Sequence, residues 1–169
     1  MSQRWIPAFA GMNGELCTVD ITTYGGLGVA MTTFTYTREI KIAWAHCDPA
    51  GIVFNPRFFE FFDTNSWGLF EAALGVSQPD FRKIYGVAIA LVDARGNFMK
   101  PVAFGDTVKV TSRVIEFRRS SFDVEHKITK DGAVMVEGQE TRVWAVPRKD
   151  DPDRITTAPI PAEVIAKFG

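Results

Sequence analysis

The sequence predicts an α+β fold in which a largely antiparallel, five-stranded sheet wraps one long central helix. Two observations support this prediction. Apolar and polar residues alternate along several stretches joined by short turns, as they do in half-buried strands. One stretch of roughly twenty residues is instead apolar over most of its circumference, which is typical of a helix buried on most sides. The chain order is a strand, the long helix, and then four strands.

The composition suits a single domain and narrows the range of partners. The chain has 169 residues, of which 46% are hydrophobic and 23% charged. A net charge of −1 disfavours a nucleic-acid or anionic-membrane partner. The two cysteines, Cys17 and Cys47, form no CxxC pair, so we expect neither a zinc site nor a disulfide framework. Reduced cysteines fit a cytoplasmic location, and no apolar run approaches the ~20 residues of a membrane span.

Residues 1–31 form a predicted N-terminal extension, with the core domain at 32–169. The apolar segment 5–11 is broken by Pro7 and makes a poor signal peptide. A Thr/Gly-rich linker follows, and Met31 stands just before the first clear strand. Our hypothesis is therefore that an upstream start codon adds this extension.

The first strand and the long helix have clear boundaries in the sequence. Apolar and polar residues alternate from Phe34 to Trp44, which predicts a half-buried strand. Asn55 is a favourable N-cap and Pro56 a favourable first helical residue, while Gly75 suits the position after the helix ends. Gly68 inside the helix costs about 1 kcal/mol relative to alanine, so we expect a neighbour to pack closely there.

Four further strands follow a connector with a possible short helical turn. Residues 87–92 are almost wholly apolar, which is typical of an interior strand. Lys130-Asp131-Gly132 predicts a hairpin. The remaining predicted elements are strands at 108–114, 122–128 and 133–146, and a short helix at 161–168.

The segment between the first strand and the helix, residues 47–56, is the candidate site. It places the lone carboxylate of Asp48 in a tight turn rich in Pro and Gly, just before a helix N-terminus. Asp and Pro both favour turns for local reasons, so a purely structural turn residue is the alternative interpretation.

Residues 48–56, Asp-Pro-Ala-Gly-Ile-Val-Phe-Asn-Pro, followed by an aromatic helix that carries Asp63, resemble the signature of the 4-hydroxybenzoyl-CoA thioesterase family. The similarity covers about residues 34–168 and includes 117–122 and the closing strand 141–145. The resemblance implies the hot-dog fold, in which a curled antiparallel sheet wraps one helix. It also implies dimers or dimers of dimers with sites at the subunit interface.

The resemblance further implies roles for individual residues. Asp48 matches the catalytic carboxylate, which attacks the thioester carbonyl or activates water. The backbone N–H of Asn55 matches the donor that polarises that carbonyl, a role that suits the unpaired N–H groups at a helix N-terminus. Since Pro56 has no N–H, Arg57 and Gly51 are the other candidate donors.

Other positions match substrate-binding residues of that family. Arg118 and Arg119 match residues that bind the CoA phosphates, although an isolated pair of arginines also suits a solvated turn. Ser120 stands where related enzymes carry a lysine, which removes one positive charge. Asp63 matches a residue that lines the acyl pocket, with an interface ion pair as the alternative. Phe59 is another residue expected to contact the acyl group.

Residues next to the Asp48 turn have two interpretations each. His46 lies two residues before Asp48, so on a continuing strand both side chains would share a face and His46 would bind substrate. A hydrogen-bonded structural histidine is the alternative. Phe54 is expected to contact substrate. Cys47 would point to the opposite face and is expected to be buried. His126 lies on an apolar strand face, which predicts a core or interface histidine.

The sequence thus predicts a cytoplasmic acyl-CoA thioesterase that hydrolyses an aromatic, 4-hydroxybenzoyl-like or short-chain acyl-CoA to free acid and CoA. We expect no metal or redox cofactor, with coenzyme A present only as part of the substrate, and a homodimer or homotetramer. The alternatives are an acyl-carrier-protein thioesterase, a non-enzymatic acyl-CoA-binding regulator and a hot-dog dehydratase. A dehydratase commonly uses a His base with an Asp, and residues 46–48 do not match that motif.

Overall fold

A computed structural model describes residues 32–151 and 154–169, so the predicted extension at 1–31 lies outside the described residues. The elements form one antiparallel sheet with strand order β1-β3-β4-β5-β2, and the short β6 pairs with β5. The predicted α+β architecture with five long strands is confirmed. The elements are β1 Tyr36–Lys41, α1 Asn55–Leu74, α2 Gln78–Tyr85, β2 Ala88–Phe98, β3 Thr107–Phe117, β4 Ser121–Lys130, β5 Ala133–Pro147, β6 Ile155–Thr157 and α3 Ala162–Ile165.

The core lies between α1 and the inner face of the sheet, in two clusters. One cluster surrounds the N-terminal half of α1, where Phe58, Phe61 and Phe62 pack against residues of β3 and β5. The other surrounds its C-terminal half, where Leu69 and Phe70 pack against β4 and β5. Burial of such side chains stabilises the fold by roughly 1.5–3 kcal/mol each.

Two glycines let aromatic rings approach the backbone. A Cβ at Gly68 in α1 would lie 2.4 Å from the Tyr36 ring, which explains the helical glycine noted in the sequence. A Cβ at Gly138 in β5 would lie 2.4 Å from the Phe62 ring. Phe62 in turn stacks on His126, with ring centroids 4.7 Å apart. The absence of a side chain at Gly138 therefore positions Phe62 and His126 together.

β1 ends earlier than the alternating pattern predicts. The Ile42 N–H still donates to the Asp106 carbonyl at 2.8 Å, but the chain then forms a 3-10 turn at Trp44–His46. The Ala43 N–H donates to Nδ1 of His46 at 3.1 Å and stabilises this turn. Trp44 is consequently 64% exposed, and the predicted continuation of the strand to Trp44 is wrong.

Helix α1 begins at Asn55, one residue earlier than predicted. Phe54 occupies the N-cap position and makes no side-chain capping bond, so Asn55 is the first helical residue. The helix ends as predicted, with Gly75 in the left-handed region at φ 68°. The connector that follows contains α2, a helix of eight residues where the sequence predicted at most a short helical turn. The predicted hairpin between β4 and β5 is present, with Asp131 at φ 50° and Gly132 at φ 77°.

β2 lies at an edge of the sheet, so the predicted interior position of this apolar strand is wrong. Leu91 is 47% exposed and Val92 is 58% exposed. The apolar run identified the strand correctly. It could not show whether strands of the same chain pair with both edges of β2, because an apolar sequence does not reveal its neighbours in the sheet.

The C-terminal residues complete the core. Phe168 is fully buried and its carbonyl accepts the Phe34 N–H at 3.2 Å. The Phe168 ring packs against Phe70 and Phe117. The described part of the chain contains no helix that is both long and apolar enough to cross a membrane.

Candidate active site

The Asp48 turn is a compact, backbone-bonded loop at the N-terminal end of α1. The Asp48 N–H donates to the Ile52 carbonyl and the Gly51 N–H donates to the Asp48 carbonyl, each at 2.9 Å. Gly51 has a φ of 78°, which a side chain would strain. The segment before β3 clamps the turn, because the Phe104 N–H donates to the Gly51 carbonyl at 3.0 Å. The turn therefore holds Asp48 on a rigid support.

The Asp48 carboxylate has one fixed oxygen and one open oxygen. Oδ1 accepts the Ala50 N–H at 2.9 Å, which orients the carboxylate in an Asx turn. Oδ2 makes no hydrogen bond with any residue in the described ranges. The side chain is partly exposed, so this oxygen is accessible to a ligand or water. A carboxylate arranged in this way can act as a nucleophile or a base.

The Asn55 N–H is an open backbone donor at the first residue of α1, where the end of the helix carries partial positive charge. The neighbouring Phe54 N–H donates to the His46 carbonyl at 3.0 Å, which ties the start of α1 to the Asp48 turn. The other two donors considered from the sequence are used inside the chain: Gly51 donates to Asp48, and Arg57 donates to the Phe54 carbonyl at 2.8 Å. Within 32–151 and 154–169, Asn55 N–H has no acceptor.

His46 lies in the 3-10 turn, not on a strand, so the predicted shared strand face with Asp48 is wrong. Its Nδ1 accepts the Ala43 N–H, and its ring packs edge-on against Phe61 at 5.3 Å. Cys47 is only partly buried and its Sγ lies 3.7 Å from the Ala43 carbonyl oxygen. Phe54 is 51% exposed beside the Asn55 N–H.

Phe59 and Asp63 lie one helical turn apart on the face of α1 that points towards β2. Phe59 packs near Phe98, with ring centroids 6.5 Å apart, and a Cβ at Gly96 would lie 3.5 Å from the Phe59 ring. We use the name edge cleft for the surface between α1 and β2 that carries Phe59, Asp63, Leu91, Gly96 and Phe98, where Leu91 is paired in register with Arg142. The side chain of Asp63 is 51% exposed in the cleft, and Nη2 of Arg142 lies 2.6 Å from its Oδ1.

The two arginines of the β3–β4 turn differ in their contacts. Arg118 pairs with Asp123, with one Nη1–Oδ1 contact at 3.1 Å, and its Nη2 lies 2.6 Å from Glu116. The hydrogen bond from Arg118 lowers the pKa of Asp123, which is almost fully buried. Arg119 is exposed and pairs with no described residue. Ser120 is partly buried and its carbonyl accepts the Trp144 N–H at 2.9 Å.

Within one chain, the Asp48 turn and the β3–β4 turn lie far apart. The Asp48 turn adjoins the first residue of α1, whereas Phe117 and Phe122, which flank Arg118–Ser120, pack around the other end of that helix. A helix of 20 residues spans about 30 Å. The predicted catalytic and phosphate-binding groups of a single chain are therefore separated by a distance on that order.

A buried polar network under α1 was not predicted from the sequence. Glu140 is 1% exposed, and its Oε2 accepts hydrogen bonds from Ser66 Oγ at 2.7 Å and Arg142 Nε at 2.9 Å. His126 Nε2 lies 3.3 Å from the same oxygen. Burial opposes the charge of Glu140, but His126 and Arg142 outweigh it and lower its pKa to about 2.

The network continues across the sheet through neutral groups. His126 Nδ1 lies 2.7 Å from Ser112 Oγ, and Asn65 Nδ2 donates to the Val110 carbonyl at 3.1 Å. The alternation of residues along β5 could have revealed this network. Glu140 and Arg142 lie on the same face of the strand as the apolar Val136 and Trp144. Charged residues on an apolar strand face need buried partners.

The antiparallel sheet and α1 form a hot-dog fold, and the chain is a thioester hydrolase. The chain belongs to the thioesterase-like superfamily, whose family model matches residues 42–168. The sequence-based prediction of this class of enzyme is thus confirmed. No cluster of three or more His, Cys, Asp or Glu side chains suited to a metal occurs among the residues that the structure describes.

Known relatives agree with this family. The 4-hydroxybenzoyl-CoA thioesterase of Pseudomonas sp. strain CBS-3 is 25% identical over 138 residues, which cover 76% of this chain and 94% of that protein. Its solved structure matches with a TM-score of 0.72 at 23% identity, covering 79% of this chain and 98% of the other. A gentisyl-coenzyme A thioesterase structure matches with a TM-score of 0.67 at 26% identity, covering 79% and 98%.

Proposed function

We propose that this protein hydrolyses a hydroxylated aromatic acyl-CoA to the free acid and CoA. The observation that carries the proposal is the pairing of an open Asp48 oxygen with an unpaired Asn55 N–H on one rigid support. Hydrolysis of a thioester needs a nucleophile or base together with a donor for the developing oxyanion. Both requirements meet at the Asp48 turn.

In this mechanism Asp48 acts on the thioester carbonyl while the Asn55 N–H stabilises the oxyanion. Asp48 either attacks the carbonyl carbon to give an anhydride or takes a proton from an attacking water. In both routes the C–S bond breaks and CoA leaves as the thiol. In the first route a water then hydrolyses the anhydride to restore Asp48 and release the acid, and in the second route the attacking water supplies the new oxygen of the acid. No metal or redox cofactor takes part in either route. Loss of one oxyanion donor typically costs about 2.7–4 kcal/mol.

The edge cleft is the proposed site of the acyl group. Phe59 supplies an aromatic surface, and the ring of Phe98 lies beside it. Asp63 supplies an acceptor that suits a hydroxyl on the acyl ring. The two relatives at 25% and 26% identity are named for 4-hydroxybenzoyl and gentisyl thioesters, both hydroxylated aromatic acids. Phe54 and His46 complete the binding surface next to the Asp48 turn.

We propose a homodimer formed through the β2 edge, with pairs of dimers as a further assembly. β2 ends the sheet with exposed Leu91 and Val92, and long apolar edges of this kind favour pairing with another strand. The separation of Asp48 from Arg119 within one chain also supports an assembly, because CoA bound at one Asp48 would then meet the arginine of another copy. The site lies between copies in this proposal.

Val92→Lys is expected to convert the protein to monomer and to lower thioesterase activity along with the dimer fraction. A lysine at position 92 would place an unpaired charge in the strand pairing. Light scattering after size exclusion measures the change. Ile84→Lys is the matched control, since Ile84 is 61% exposed on α2. A dimer that survives Val92→Lys would contradict the β2 interface.

Arg119→Ala is expected to raise KM for the acyl-CoA about tenfold, since a hydrogen bond to a charged group contributes roughly 1.5 kcal/mol or more. The same substitution should leave KM for the corresponding acyl-pantetheine unchanged, because that substrate has no nucleotide phosphates. Arg118→Ala should instead lower stability, since Arg118 is the ion-pair partner of the buried Asp123. Equal effects of Arg119→Ala on both substrates would contradict phosphate binding.

The proposal is tested by free-thiol release from a panel of acyl-CoAs. The panel contains 4-hydroxybenzoyl, 2,5-dihydroxybenzoyl, benzoyl, phenylacetyl, short-chain and long-chain thioesters. We expect the highest kcat/KM for a hydroxylated benzoyl-CoA. A preference for a short-chain substrate would contradict the aromatic assignment. Binding without turnover of any substrate would favour a regulator, and turnover only of acyl-carrier-protein thioesters would favour a protein substrate.

A further inference from the structure

Arg142 connects a buried carboxylate to an exposed one. Its side chain is 2% exposed, whereas the side chain of Asp63 is 51% exposed and that of Glu140 is 1% exposed. Nε lies 2.9 Å from Glu140 Oε2, and Nη2 lies 2.6 Å from Asp63 Oδ1. The guanidinium therefore spans from the interior of the sheet to the edge cleft.

Two further side chains hold Glu140, the buried partner of Arg142. Ser66 on α1 donates to Glu140 Oε2 at 2.7 Å, and His126 Nε2 lies 3.3 Å from the same oxygen. The His126 ring is itself fixed by stacking on Phe62 and by its contact with Ser112 Oγ at 2.7 Å. Glu140 thus gives Arg142 a fixed anchor, and the orientation of the guanidinium is set before a ligand binds.

Stability alone does not account for this arrangement. Two charges buried against the apolar sheet are costly to desolvate, and well-packed apolar residues often serve stability as well or better. An ion pair with a half-exposed partner contributes little. Arg142 instead orients the Asp63 carboxylate. It donates a hydrogen bond to Oδ1 and leaves Oδ2 without a partner among the described residues.

We propose that Arg142, anchored by Glu140, is a positioning residue that aims Oδ2 of Asp63 into the edge cleft as the acceptor for a hydroxyl donor on the acyl group. The proposal rests on the proposed function. Arg142 touches no reacting atom in it and acts only through Asp63. Its planar fork suits this task, since a lysine cannot bond both carboxylates with the same rigid geometry.

The test compares kcat/KM for 4-hydroxybenzoyl-CoA with kcat/KM for benzoyl-CoA, which differ only in the hydroxyl. In the wild type we expect the first to exceed the second by on the order of tenfold to a hundredfold, the usual contribution of a hydrogen bond to a charged group. Asp63→Asn and Arg142→Met should each reduce this ratio to within a few-fold of one. Arg142→Met in the Asp63→Asn background should reduce the ratio no further.

Arg142→Lys is the second variant, because it keeps a positive charge beside Glu140 and favours folding should Arg142→Met fail to fold. It should keep turnover of benzoyl-CoA and lose most of the preference for the hydroxylated substrate. Arg113→Met is the control, since Arg113 pairs with Glu125 at 2.9 Å and has no contact with Asp63. Its ratio should equal that of the wild type.

The outcomes separate this proposal from the function on which it rests. Turnover by the wild type with an unchanged ratio in folded Arg142→Lys would overturn the positioning role and leave the thioesterase assignment intact. An equal fall on both substrates would also overturn it, since a purely structural role acts on both. Failure of the wild type to hydrolyse either thioester would overturn the proposed function and this role together.

Discussion

Asp48→Asn is expected to lower kcat for the best acyl-CoA by on the order of 10²–10⁴-fold, the usual contribution of a positioned acid or base. The amide keeps the oxygen that accepts the Ala50 N–H, so the turn and the free energy of unfolding should change little. It lacks the second carboxylate oxygen that would attack the carbonyl or take a proton from water. Thiol release measured under saturating substrate gives kcat directly.

The control for this experiment is Asp150→Asn, which removes a surface carboxylate paired with Arg148. Its kcat should equal that of the wild type. KM in Asp48→Asn should stay within a few-fold of the wild-type value, because Asp48 acts in the transition state more than in substrate binding. A folded Asp48→Asn protein that keeps more than about a tenth of wild-type kcat would remove Asp48 from the mechanism.

Glu140→Gln is expected to reduce the free energy of unfolding at neutral pH by about 3 kcal/mol. This magnitude follows from the pKa of Glu140, which falls from 4.5 to about 2 in the folded chain. Glutamine has nearly the same shape but no charge to pair with Arg142. Urea denaturation at neutral pH measures the loss.

The same substitution should change how stability depends on acid. A carboxylate whose pKa is depressed by folding contributes stability above its unfolded pKa of 4.5, and that contribution is lost as pH falls towards about 2. The difference in the free energy of unfolding between wild type and Glu140→Gln should therefore become smaller as the pH is lowered. Glu39→Gln is the control, because it makes the same substitution at an exposed glutamate outside the buried network. A gap that stays constant with pH would contradict a charged Glu140.

Much of the fold was predictable because it depends on local patterns. Strands and helix α1 follow from the periodicity of apolar residues, and Gly75 and Gly132 supply the backbone conformations that end the helix and close the hairpin. The end of β1 was not predictable in this way. The hydrogen bond from Ala43 to His46 starts a 3-10 turn that alternation cannot reveal.

The parts of the candidate site that lie within one short sequence motif were predictable. The contacts between residues that are distant in sequence were not. The Asp48 turn and Asn55 are contiguous in sequence, so they could be located before the structure. Arg142 and Asp63 are separated by 79 positions, and only the packing of α1 on β5 brings them together. The different contacts of Arg118 and Arg119 likewise depend on Asp123 across the hairpin.

The burial of Phe168 has a consequence for the order of folding. Phe168 packs against Phe34 and Phe70, so the aromatic core joins segments that lie far apart in the sequence. Contacts between distant segments are slow to form, because the loop-closure entropy must be lost before the contacts stabilise the chain. The helix and the hairpins can therefore form before this part of the core closes. A chain that has folded only this far still exposes the aromatic surface that Phe168 covers in the complete fold.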